Sequence, residues 1–398
     1  MRNTSNWLGR ALRYAVCAVA LIVAGGTIAA PFTPADDAQV LERLPARSTP
    51  QLRELKALRA AAAQAPNDLR RASALAMAYI RASRIEGDPR FLGYAQAALA
   101  SWWKDAEAPT TVLVLRATIL QSRHEFDKAL VDLDKVVQRE PKNAQALLTR
   151  ATVSTVRGSY AAARSDCNRL SEVAPEIYPV VCIAAIDSVT GNASRASENL
   201  QRVLNGSVRL DAASRVWGET LLGEIAQRRG DPTAEKHFRA ALETGERDLY
   251  LLGAYGDWLL DQARAADVIA LLQNEIRIDP LLLRLALAQH AKKDPGAAAS
   301  IETLRARFDA SHARGDTVHQ RENARFELFL RGDAHSALTL ALDNWKVQRE
   351  PADLRILAEA AVAANDATAL GIAKQWLAET GFEYPTVAAL VGGTGAVK

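Results

Sequence analysis

Residues 110–143 read TTVLVLRATILQSRHEFDKALVDLDKVVQREPKN, and residues 144–177 read AQALLTRATVSTVRGSYAAARSDCNRLSEVAPEI. Laid one over the other at a spacing of 34 residues, Ala117 falls on Ala151 and Ala129 on Ala163. Leu133 falls on Cys167, Val136 on Leu170 and Pro141 on Pro175. The apolar spacing in each stretch is that of two helices. The paired alanines let those two helices approach closely. The closing proline cannot continue a helix and forces the turn to the next pair. A self-similar period of this length marks an array in which each hairpin buries its apolar face against its neighbours.

Phe126 and Tyr160 open the second helix of each pair. The phrases Glu125-Phe126-Asp127-Lys128-Ala129 and Arg139-Glu140-Pro141-Lys142-Asn143 resemble the consensus of the tetratricopeptide family. The resemblance implies an all-α fold, an α-solenoid of stacked antiparallel helix hairpins forming a superhelix. It is strong over 110–177 and extends in weaker form over 50–382. Weaker pairs are Ala76/Tyr79 with Ala95/Leu99, Ala185 with Ala196, Leu200 and Val203, and Leu222-Gly223 with Ala234, Phe238 and Ala241. Further ones are Asp248–Leu281, with Pro280 near its end, Ala337/Ala341 up to Pro351, and Ala360/Ala369. Gly87-Asp88, Gly230-Asp231, Gly315-Asp316 and Gly332-Asp333 read as turns, glycine stopping one helix and aspartate capping the next. The Arg-Gly-Asp triplets at 229–231, 314–316 and 331–333 fall on those turns and carry no adhesion signal. The stretch 383–398 reads as a flexible tail.

The first 30 residues have a different character. Arg2, Arg10 and Arg13 precede the apolar run Ala15–Ala24, and small residues follow Gly25-Gly26. That is the layout of a signal peptide, with cleavage expected after Ala29, or of an uncleaved signal anchor. Either places the remainder outside the cytoplasm, periplasmic or secreted if cleaved and facing the periplasm from the inner membrane if not. Residues 31–49 read as a linker. Without the three leader arginines, the 49 basic residues fall to 46, equal to the 46 acidic ones. A balanced chain offers no basic face for nucleic acid.

No motif carries catalysis. The six histidines are scattered, no His-Glu-x-x-His or Cys-x-x-Cys occurs, and Gly392-Gly393-Thr394-Gly395 lacks the strand and helix of a phosphate loop. No enzyme activity, metal or cofactor is expected. The family resemblance puts partner contacts on the concave face of the first helices. These are Thr111, Val114, Thr118, Gln121 and Ser122 in one repeat, and Gln145, Leu148, Thr152, Thr155 and Val156 in the next. The basic set of a carboxylate clamp is not present there. The expected function is a non-catalytic extracytoplasmic scaffold that binds a protein or peptide in its groove. The alternatives are a membrane-anchored assembly factor for an envelope complex, or a subunit of an envelope polysaccharide or metal-handling system. Cys167 and Cys182 lie on neighbouring antiparallel helices, so a disulfide between them and two separate buried thiols are both open.

Overall fold

A computed structural model describes Asp36 and residues 50–393. The leader at 1–30, the linker at 31–49 apart from Asp36, and the last five residues lie outside the described residues. Every element below belongs to the unit Pro50–Lys398. Among the described residues all regular structure is helical. No helix among them is long and apolar enough to cross a membrane.

Helix α1 (Pro50–Gln64) leads into α2 (Leu69–Glu86), which pairs with α3 (Arg90–Ala98) and the short α4 (Ala100–Trp103). Then come α5 (Thr110–Ser122) with α6 (Phe126–Arg139), α7 (Ala144–Val156) with α8 (Tyr160–Leu170), and α9 (Ile177–Asp187) with α10 (Ala193–Leu204). Next are α11 (Ala212–Arg229) with α12 (Ala234–Leu242), α13 (Leu249–Asp261) with α14 (Ala265–Leu272), and α15 (Asp279–Lys292) with α16 (Ala297–Ala313). Helix α17 (Gln320–Phe326) continues through a π turn, Glu327–Arg331, and pairs with α18 (Ala334–Val347). The array closes with α19 (Pro351–Ala363), α20 (Ala367–Thr380) and α21 (Pro385–Val391).

The repeating alanines do what their spacing implies: Ala117, Ala129, Ala151 and Ala163 are all fully buried between paired helices. In the α11/α12 hairpin the same close approach is made by Gly223, where an added Cβ would lie 2.7 Å from the ring of Phe238. Helix starts are fixed by side-chain caps. Asp68, Asn143, Asp211, Asp248, Asp333 and Asp366 each accept the backbone N–H three residues on. Gly87, Gly230, Gly315 and Gly332 all stop the chain at positive φ, as their sequence implies. Of the four aspartates that follow them only Asp333 is a helix cap. Asp88, Asp231 and Asp316 accept from the N–H two residues on, inside the turn. Pro280 and Pro351 open α15 and α19; they do not end the preceding pairs. The stretch read as a flexible tail is ordered through α21, whose Val387 and Leu390 are buried where it packs on α11, α19 and α20.

The hairpins wind until the array meets itself. Arg247 donates to the carbonyl of Ile85 across 162 residues. Arg157 reaches the carbonyl of Val347 at 3.5 Å across 190 residues. The N–H of Arg349 donates to the carbonyl of Val156 at 2.7 Å. The Trp376 ring sits over Gly158, where a Cβ would come within 2.6 Å of it, and Gly191 lies on Gly381. Trp376 is also packed edge-on to Trp345, with Arg349 5.3 Å from the Trp376 ring. The turn ends of the early hairpins are therefore covered by the late ones.

Candidate functional site

The inner face of the two clearest repeats is where the family resemblance put a groove. Thr111, Ser122 and Gln145 are exposed there, and Gln121, Leu148, Thr152, Thr155 and Val156 are half-buried. Val114 and Thr118 require correction: they are 8% and 6% exposed and face no groove. Helix α5 is buried all round from Val112 to Leu120, as its nearly unbroken apolar sequence requires. The hydroxyls of Thr118, Thr152 and Thr155 each donate to the carbonyl four residues back, which leaves them only as acceptors.

The surface these helices give up reappears further along the chain. The first helices of the later hairpins, α11, α13, α15, α17 and α19, converge with Tyr384 on a cavity of about 370 Å³. Its apolar wall includes Leu260, Leu287, Phe329 and Ile356, and charged residues run between them. Asp257 accepts from Arg284 at 2.5 Å and Arg325 at 2.9 Å. Burial pushes its carboxyl upward, yet the two guanidiniums hold it well below the usual carboxylate range. Asp261 accepts from Arg355 at 2.8 Å and from Gln227 at 2.9 Å. Arg355 also donates to Glu359 at 2.8 Å, whose carboxyl burial nevertheless pushes up. Burial likewise raises Tyr384 to about 12. The result is a hydrophobic chamber whose ion pairs fix the walls and leave the space between them open.

Among solved structures that resemble the chain is a tetratricopeptide repeat protein from Parabacteroides merdae. It is 19% identical, with a TM-score of 0.38, covering 58% of this chain and 92% of that one. No family model matches the chain, and no curated protein does. The helix register of this chain decides the fold class: Thr110 and Ala144 open first helices 34 residues apart, and Phe126 and Tyr160 open second helices at the same spacing. The fold is tetratricopeptide-like.

The tetratricopeptide-like period also carries a charge that the sequence reading missed. Arg116 forks onto Asp132 with two bonds of 2.7 Å. One repeat later, Arg150 forks onto Asp166 at 2.7 and 2.6 Å. Arginine and aspartate sixteen residues apart, repeated at 34, is the available signal. It is hard to see because charges on helices are by default solvated neighbours at i and i+4. Arg116 also donates to the carbonyls of Trp103 and Asp105, at 2.7 and 3.0 Å. It thereby fixes the two half-buried tryptophans Trp102 and Trp103 at the end of their helix.

Proposed function

We propose that this chain is a non-catalytic scaffold of the extracytoplasmic space, holding a segment of another polypeptide on the inner face where its array begins. The observation that carries this reading is a stripe on α2. Arg70, Ala74, Met77, Arg81 and Arg84 follow one another at helical spacing and are all exposed, with Met77 keeping 54% of its surface in solvent. Helix α2 is flanked by α1, α3 and α5; Glu54 of α1 holds Arg81 at 3.1 Å at the edge of the stripe, and Arg70, Ala74 and Met77 stay open to solvent. Basic residues around an apolar centre suit an amphipathic segment bearing acidic residues. The exposed groove positions Thr111 and Ser122 lie on the neighbouring first helix. Met77→Glu combined with Ala74→Glu is expected to weaken partner capture about tenfold or more in cross-linked envelope extracts. Both positions are exposed, so the melting temperature should stay within about 2 °C. Capture that survives the double change places the partner elsewhere.

The extracytoplasmic part of the proposal rests on residues 1–30 and on the cysteines. Cys167 on α8 and Cys182 on α9 are buried, with Cα atoms 5.6 Å apart, inside the span a disulfide bridges. The oxidising compartment that an export leader implies would keep them bonded. Intact mass of the protein purified from a bacterial envelope, alkylated after unreduced denaturation, tests both points. A start near Ala30 and no alkylated cysteine are expected. Reduction should then cost about 3 kcal/mol, because the closed loop is short. Met1 retained in the membrane fraction supports the anchored reading, and two alkylated cysteines remove the bridge.

A further inference from the structure

The cavity holds two opposite charges that no salt bridge closes, although Arg228 lies near enough to Glu224 to draw its carboxyl downward. Among the described residues, the other wall carboxylates and arginines are ion-paired: Asp257 with Arg325, and Asp261 and Glu359 with Arg355. Glu224 and Arg228 stand apart. Glu224 accepts the Tyr250 hydroxyl at 2.7 Å instead of a cation. Arg228 is 8% exposed and donates one bond, to the Ser188 hydroxyl at 3.1 Å. Its Nε meets no acceptor, and its guanidinium lies 6.0 Å from the Phe382 ring. A buried guanidinium with an idle N–H and no carboxylate in hydrogen-bond contact is costly to a fold, and a ligand that brings an anion would meet that cost.

Both residues line the cavity from α11, four positions apart. At that spacing their Cβ atoms are roughly 5–6 Å apart on one helix face. One small molecule can therefore meet both, if it carries a carboxylate and an ammonium close together. The end of a polypeptide carries one of these charges and not the other. A free α-amino acid carries both on a single carbon and brings no net charge into the chamber. Leu260, Leu287, Phe329 and Ile356 supply an apolar wall for its side chain. The volume of about 370 Å³ falls within the range of roughly 300–1,000 Å³ common for small-molecule sites.

We infer that this cavity binds a free α-amino acid with an apolar side chain, its carboxylate on Arg228 and its ammonium on Glu224. The site is separate from the α2 stripe, so it stands or falls independently of the scaffold reading. Burial pushes the Glu224 carboxyl up, and an ammonium at hydrogen-bond distance would offset that penalty.

Calorimetry on the mature protein tests the inference with L-leucine and L-phenylalanine as probes. Leucinamide lacks the carboxylate and N-acetyl-leucine lacks the ammonium. Each is expected to bind at least about tenfold more weakly than leucine, because each leaves one buried charge unmet. Glu224→Gln should weaken leucine about tenfold and leave N-acetyl-leucine unchanged. Arg228 also braces Phe382 and Ser188, so its removal risks the fold. Ala352→Trp is the safer second variant, since Ala352 is exposed and lines the chamber. It should abolish binding at an unchanged melting temperature. The inference is overturned by the absence of heat at millimolar leucine and phenylalanine. Equal binding of leucine and its two blocked forms, or undiminished binding to Ala352→Trp, overturns it as well.

Discussion

Asp132→Ala is expected to cost about 3–5 kcal/mol of folding stability, because it strands a buried guanidinium. The side chains of Arg116 and Asp132 are 10% and 7% exposed, and their fork is bidentate. Removing the carboxylate leaves the charge and withdraws its partner, which is far more destabilising than removing both. The paired replacement Arg116→Met with Asp132→Leu should therefore recover most of the loss. Asp166→Ala, one repeat later, should cost less. Arg150 is 20% exposed there and also holds Asp134 at 2.8 Å. Urea denaturation midpoints at constant slope measure all three. A loss below about 1 kcal/mol for Asp132→Ala would show that water reaches Arg116 and that the fork is ornamental.

Acidification from pH 6.5 to 4 should remove about 3 kcal/mol through His124 alone. This histidine sits in the α5/α6 turn at φ +57°, stacked on Phe126 at 5.3 Å. Burial lowers its pKa to about 4, and the nearby Arg321 guanidinium pushes the same way. An unfolded chain takes up the proton near pH 6.5. Between the two values the unfolded state binds more protons than the folded one. Its stabilising contribution is thus complete above pH 6.5 and is lost as the pH falls toward 4. Asn tolerates the left-handed backbone and does not titrate, so His124→Asn should flatten that part of the profile. The difference between wild type and variant separates His124 from carboxylates that titrate in the same range. Parallel profiles would mean that His124 is hydrated in the folded protein.

The local grammar of this fold was readable from the chain. Small residues at Ala117, Ala129, Ala151 and Ala163 and the glycine stops act within one hairpin, where spacing determines geometry. What the chain does not display is the rotation from one hairpin to the next. That rotation accumulates over several repeats and brings Gly158 under Trp376 and Val156 against Arg349. The groove residues inherited from the family assumed an open inner face, and Val114 and Thr118 fail for that reason. The α21 helix was missed because Val387 and Leu390 form too short an apolar pattern to identify without the surface that receives them. In the sequence Glu224 and Arg228 are one i, i+4 spacing of opposite charges among many and carry no signal. Only the cavity shows that they face a common space and that Tyr250 has taken the carboxylate.

The bond from Arg247 to Ile85 and the contact from Arg157 to Val347 change how such a chain should come apart. A repeat array whose units touch only their neighbours unravels from its ends, each hairpin with its own stability. Here distant hairpins share an edge, so loss of the last helices exposes the turns of the first ones. Melting is then drawn toward a single cooperative event that depends on long loop closures. Refolding should be slower than local helix pairing alone would allow.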